Sequence, residues 1–243
     1  MRYLCALLLW AMSTVASASV ILHGTRLIYP GESRDKSIVA ENNGTFPVLV
    51  QAWIDDGDDT ASVGNTRVPF ALTPPLFKLN PSNTQSLRVI YDHSPLPADR
   101  ESLFWLNVLE IPPNAQTPSS TGNQLRMTFR SRIKMFYRPP GLSSDQRAAG
   151  RAIKWSLQRD SGQIWSLIAE NPSPYYVTFS AIDAKINNAN QKVTADMVEP
   201  FGRLVFKLPR PLSGNPVLND VEYSFIDDYG ALISVDKETK LGR

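Results

Sequence analysis

Residues 124–137, Gln-Leu-Arg-Met-Thr-Phe-Arg-Ser-Arg-Ile-Lys-Met-Phe-Tyr, hold the densest chemistry in the chain. Taken with period two, Arg126, Thr128, Arg130, Arg132 and Lys134 fall on one face, and Leu125, Met127, Phe129, Ile133 and Met135 on the other. The first face can grip anions, a guanidinium holding a carboxylate through two parallel bonds. The second can fill an apolar groove. Such a segment is either a half-buried strand with a solvated basic face, or a sheet edge that offers backbone and side chains to an incoming strand.

Other candidate chemistry fails on spacing. Asp55-Asp56-Gly57-Asp58-Asp59 invites calcium but lacks the alternating ligands, the glycine at the sixth position and the distal Glu of an EF-hand loop. It reads as a solvated hairpin tip. His23 and His93 are the only histidines and have no metal-ligand spacing around them. Asn43-Gly44-Thr45 fits a glycosylation acceptor formally, although an Asn-Gly turn explains it without sugar. There is no nucleophile elbow, phosphate loop or metalloprotease helix, and no carboxylate pair stands in a context suited to general acid–base work. The reading is of no catalytic residue, no metal and no cofactor.

The elements that must position the two-faced strand follow from the ends and the composition. Residues 1–18 have Arg2 as a positive start, a short apolar run from Leu4 to Met12, and Ala16-Ser17-Ala18 as a small-x-small cleavage pattern. They read as a signal peptide, with Ser19 as the mature N-terminus and no membrane insertion. Cys5, the one cysteine, leaves with it, which excludes a disulfide-stapled scaffold, a thiol enzyme and a zinc-thiolate site. Net charge is +2, or +1 without Arg2, which argues against nucleic acid as a partner.

Short β-branched and aromatic runs separated by Pro, Gly, Asn and Asp predict an all-β chain. Strands are expected over residues 20–29, 36–41, 48–55, 68–72, 77–79, 86–91, 102–111 and 125–137. After Arg138-Pro139-Pro140-Gly141-Leu142-Ser143-Ser144 interrupts the pattern, they are expected again over 152–159, 163–170, 175–186, 203–208, 222–227 and 231–236. Residues 145–152 are two helical turns or a loop. The division is an N-terminal immunoglobulin-like domain over 19–138, a hinge over 139–144 where two prolines withhold ladder donors, and a second such domain over 145–243.

Against that frame several stretches become recognisable. They are Thr25-Arg26-Leu27-Ile28-Tyr29, Gln51-Ala52-Trp53-Ile54-Asp55, Thr73-Pro74-Pro75, Arg100-Glu101-Ser102-Leu103-Phe104-Trp105-Leu106-Asn107, Glu110-Ile111-Pro112-Pro113 and Ile133-Lys134-Met135-Phe136-Tyr137-Arg138-Pro139. Glu170-Asn171-Pro172-Ser173-Pro174-Tyr175-Tyr176-Val177 and Ile226-Asp227-Asp228-Tyr229-Gly230 follow in the second half. In content and order the chain resembles the PapD-like periplasmic chaperones of the chaperone–usher pathway. That resemblance implies two immunoglobulin-like β-sandwiches in a boomerang, with a subunit-binding cleft between them.

It further implies a periplasmic protein that binds pilus or fimbrial subunits by donor-strand complementation and delivers them to an outer-membrane usher. Leu125, Met127 and Phe129 match the edge-strand positions that fill the subunit groove. Arg26 and Lys134 match the two cations that hold the subunit's C-terminal carboxylate, and Glu101, Arg138 and Asp228 match an ion network between the domains. A free strand edge also leaves room for self-association. Two rivals stand beside this reading. One is a secreted immunoglobulin-like structural or adhesive pilus component, and the other a hydrolase on a sandwich scaffold.

Overall fold

The computed structural model describes residues 19–58, 60, 66–113, 127–142, 145–160, 162 and 164–236. Residues 1–18, expected to be a signal peptide, and Leu125 lie outside them. Within the described first half the chain forms β1 (Val20–Leu22), β2 (Arg26–Pro30), β3 (Lys36–Asn42), β4 (Val48–Asp55), β5 (Phe70–Thr73), β6 (Leu76–Leu79), β7 (Thr84–Tyr91), β8 (Ser102–Ile111) and β9 (Phe129–Arg138). They make two sheets in the orders β1-β3-β7-β5 and β2-β9-β8-β4-β6.

Alternation fixes which side of each strand faces in. On β7, Leu87, Val89 and Tyr91 are buried while Arg88 and Ile90 are exposed. β4 does the same with Val48, Val50, Ala52 and Ile54, and β8 with Phe104, Leu106 and Val108. Each such side chain contributes about 1.5–3 kcal/mol on leaving water. Tyr29, Phe70, Tyr91, Phe104 and Tyr137 close one end of this core, with centroid separations from 4.8 to 6.3 Å.

The single strand expected over residues 20–29 is in fact two. Gly24 takes φ +151°, a conformation that side-chain-bearing residues rarely adopt, and the chain changes sheets there. β1 pairs with β3 in one sheet, whereas β2 crosses over to run parallel to β9 in the other.

The second half forms a short helix α1 (Gln146–Arg151), capped by the Asp145 carboxylate accepting from the Ala148 N–H at 2.6 Å. It continues as β10 (Lys154–Arg159), β11 (Trp165–Glu170), β12 (Val177–Ile186), β13 (Ala189–Val193), β14 (Met197–Val198), β15 (Arg203–Lys207), β16 (Leu218–Ile226) and β17 (Leu232–Val235). One sheet is β10-β11-β15; the other is β13-β12-β16-β17, with β14 also on β12. Trp155, Phe179, Phe206 and Tyr223 gather at its centre. The architecture is two β-sandwich domains, each with its own hydrophobic core. Among the described residues no helix is long and apolar enough to cross a membrane.

Candidate functional site

β9 pairs along its full length with β8, from Glu110↔Phe129 to Ser102↔Tyr137. On its other side β2 covers only Lys134 to Arg138, because β2 begins at Arg26. Among the described residues nothing pairs with that side of 129–133, so the backbone donors and acceptors there form an open edge. The strand expected to start at Leu125 starts at Phe129; Met127 and Thr128 precede it outside any ladder. Met127 is 51% exposed, while Phe129 is half-buried opposite Glu110.

Where the open edge ends, two cations meet. Arg26 and Lys134 are the first register partners of the parallel ladder. Both are half-buried, and among the described residues neither has a carboxylate within ion-pair distance. Arg26 Nη1 donates to the Ile226 carbonyl at 3.0 Å, and its Nε is buried without a partner. Lys134 Nζ donates to Thr178 Oγ1 at 3.3 Å and lies 5.7 Å from the centre of the Trp105 ring. Burial pulls the Lys134 ammonium down to about 8, and Arg26 beside it pulls the same way. Burial also lowers Arg26, with Asp228, Asp227 and Glu101 opposing. Both cations are thus partly desolvated, and the carboxylates that act on them do so only from beyond ion-pair distance.

The basic face of β9 is not the solvated surface that its sequence suggests. Asp55, at the end of β4, is fully buried beneath it, a correction for this one residue to the reading of the acidic run as a solvated tip, while Asp56, Gly57 and Asp58 are exposed. Arg132 Nη2 meets Asp55 Oδ1 at 2.6 Å. Asn107 donates to Asp55 Oδ2 at 2.6 Å and accepts from Arg130 Nη2 at 2.7 Å. Arg130 also lies 4.8 Å over Trp53, and Arg132 4.3 Å over Trp105. Asp55 belongs to this ladder because it extends the outward series of β4, opposite Trp105 on β8. Lys134, further along the same strand, instead reaches Thr178 of the second domain.

The domains are joined by Arg138, the last residue of β9. Its Nη1 and Nη2 form a fork on Asp228 at 2.7 and 2.8 Å, and its Nε donates to Glu101 Oε1 at 2.9 Å. Burial pushes the Glu101 carboxyl up, against the pull of Arg138 and of the Tyr176 N–H, which donates to Glu101 Oε2 at 2.8 Å. Burial alone would lower Arg138, but Asp228 and Glu101 outweigh it and hold it above its ordinary value. Asp227, next in sequence, is buried and builds the turn that presents Asp228. It accepts from the Tyr229 and Ala231 N–H groups and pairs with Arg147 of α1 at 2.6 Å.

The structure therefore brings together Arg26 with Lys134, and Glu101 with Arg138 and Asp228. It keeps Met127 and Phe129 at the open edge and leaves Leu125 outside the described residues. Thr178, Trp105, Asp227 and Arg147 support these groups and were missed in the sequence. The doublet Asp227-Asp228 was the visible signal for one of them.

A two-sandwich protein with a free strand edge rooted at a cation pair is a binding protein for extended polypeptide. Residues 19–143 match the family described as pili and flagellar-assembly chaperone, PapD N-terminal domain, and residues 148–237 match pili assembly chaperone PapD, C-terminal domain. The chain belongs to this family of pilus-assembly chaperones, which is not an enzyme class. It is 38% identical over 233 residues to the probable fimbrial chaperone YadV of Escherichia coli strain K12, covering 95% of this chain and 94% of that one. With the chaperone protein FimB/FhaD of Bordetella pertussis it shares 39% over 231 residues, covering 93% and 91%. The solved structure of the YadV chaperone superposes with a TM-score of 0.74 at 35% identity, covering 90% of this chain and 98% of that one.

Proposed function

We propose that the chain is a periplasmic chaperone that captures pilus or fimbrial subunits by donor-strand complementation and passes them to an outer-membrane usher. The observation that carries this is the open edge of β9 over 129–133, ending at the Arg26–Lys134 pair. A subunit strand laid on that edge would take its backbone bonds from β9. Its C-terminal carboxylate would meet the two unpaired cations, which fixes register from one end. Met127 and Phe129, with Leu125 before them, would reach the subunit's groove. Arg138, clamped to Asp228 and Glu101, would set the angle of the cleft. The leader pattern over residues 1–18 and the family membership support the periplasm.

Coexpression with a pilus subunit encoded beside this gene, followed by affinity purification, tests the reading. A one-to-one complex and a soluble subunit are expected. A subunit that stays insoluble or proteolysed in the presence of the chain overturns it. No observation favours a structural pilus component or a hydrolase.

A further inference from the structure

Glu110 is a buried carboxylate, 7% exposed, on the inner side of β8, and the open edge and the inter-domain network leave it unused. No Lys, Arg or His among the described residues lies within ion-pair distance of it. Its partners among the described residues are at the start of the described chain. The Ser19 and Val20 N–H groups both donate to Oε2 at 3.0 Å, and the Ser19 hydroxyl donates to Oε1. Phe129 on β9 stands opposite in the ladder, with Val50 of β4 on the other side, and neither carries charge. The Asn43 N–H holds the Ser19 carbonyl at 2.8 Å, and a side chain at Gly44 would collide with Ser19. The surroundings therefore fix Ser19 tightly against a carboxylate that has no counter-charge among the described residues, which is a costly state.

Ser19 is also the residue that follows the Ala16-Ser17-Ala18 cleavage pattern. Hydrolysis of the Ala18–Ser19 peptide bond adds water across it. The oxygen goes to Ala18 as a carboxylate on the departing leader, and the Ser19 nitrogen takes both hydrogens of the water to become an α-ammonium. An α-amino group of ordinary pKa, about 7.7–8.0, is charged at neutral pH. The same nitrogen that donates as an amide at 3.0 Å would then deliver a full positive charge to Glu110.

We infer that Glu110 is the receptor for the chain's own processed N-terminus, and that leader cleavage completes an ion pair which staples the two sheets of the first domain. β1 belongs to the sheet β1-β3-β7-β5 and Glu110 to the other, so the pair bridges them. It does so at the rung where β9 begins, and so braces the end of the open edge against opening of the sandwich. In an unprocessed chain the nitrogen is a neutral amide, and the staple is only hydrogen-bonded.

The exported protein tests this directly. Intact-mass analysis should show a chain starting at Ser19. In that protein the α-amino group should titrate at least one unit above its value in the urea-unfolded chain, and Glu110→Gln should abolish the difference. A single Gly added before Ser19 should lower the melting temperature by about 4 °C, the shift expected for loss of one such pair in a small domain. Combining it with Glu110→Gln should cost no more than the larger single effect. A different N-terminus, an α-amino group that titrates as in the unfolded chain, or additive effects of the two changes overturns the inference.

Discussion

Arg26 and Lys134 face each other across the first rung of the parallel β2–β9 ladder, and each is held by the opposite domain. Arg26 reaches the Ile226 carbonyl and Lys134 the Thr178 hydroxyl, both in the second sandwich. The ladder of the first domain sets the two side by side, and the second domain supplies the acceptors that orient them. These hydrogen bonds orient the cations without neutralising them.

Replacing either cation by Ala should therefore weaken a subunit, or a peptide with a free C-terminal carboxylate, by about 2–5 kcal/mol. Melting of the free protein should change little, because each substitution relieves the desolvation of a charge that no ion pair offsets and gives up one hydrogen bond to the second domain. Calorimetry with the acid and amide forms of one peptide checks this. Equal affinity of the two forms for the unaltered chain would remove the carboxylate from the argument.

Affinity should also depend on pH through Lys134. Its folded value of about 8 lies below the ordinary lysine value of about 10.4, so the free protein binds fewer protons than the unfolded chain between these limits. Stability should rise with pH across that window. A bound carboxylate raises the lysine again, so complex formation takes up a proton. Affinity should hold below pH 8 and then fall by up to about tenfold per unit above it. Lys134→Arg should flatten the profile; an unchanged slope in that variant would assign the effect elsewhere.

Met127 is exposed beside the open edge and belongs to neither core. Met127→Glu should leave the thermal transition within about 0.5 kcal/mol of the original, as for other surface changes. It should nevertheless abolish subunit recovery, because the carboxylate would enter an apolar groove unpaired. Normal recovery would mean that the donated residues begin at Phe129.

How far all this was legible differs by element. Strong alternation made β4, β8 and the core half of β9 readable, since Val48, Val50, Leu106 and Met135 can face only inward. The sheet change at Gly24 was not readable, because the short polar stretch His23-Gly24-Thr25-Arg26 between two apolar runs says nothing of which sheet the chain enters next. The β12–β13 hairpin was missed for a related reason. Asn187 and Asn188 take φ of 51° and 64° in a two-residue turn, which asparagine tolerates, but polar β13 lacks the alternation that marks a strand. Arg26 and Lys134 were found through family likeness. Thr178 and Glu110 acquire roles only when distant strands converge, and no local spacing announces them.

Asp55 gives a stability prediction independent of binding. It is fully buried under Arg130 and Arg132, which keep 29% and 22% of their side-chain surface. Asp55→Ala would take the acceptor from Arg132 and from the Asn107 amide, while Arg130 keeps its bonds to Asn107 Oδ1. Removing one partner of a buried pair costs about 3–5 kcal/mol, and partial exposure of the arginines reduces this to about 2–4. Denaturant melts of the first domain's tryptophan signal, from Trp53 and Trp105 on the same face, should report the loss. A change under 1 kcal/mol would make the ladder a surface ornament.

Arg138 separates orientation from stability. It closes β9 in the first domain, yet two of its three nitrogens are committed to Asp228 in the second. Glu101 receives both Arg138 and the Tyr176 N–H, so one carboxylate also touches both domains. The Glu101 N–H in turn donates to the Pro174 carbonyl at 2.9 Å, and Gly230 lies against Thr25, where any side chain would collide. Loss of Arg138 therefore removes the charged clamp but leaves a second line of contact. Arg138→Ala should keep both sandwiches folded, broaden the inter-domain distance distribution in solution scattering, and lower subunit affinity about tenfold or more, because Arg26 and Lys134 lose their partners in the other domain when it swings. Asp228→Asn, which keeps the shape and one acceptor, should fall between the two. Scattering and affinity that both match the unaltered chain in Arg138→Ala would show that backbone contacts alone fix the cleft.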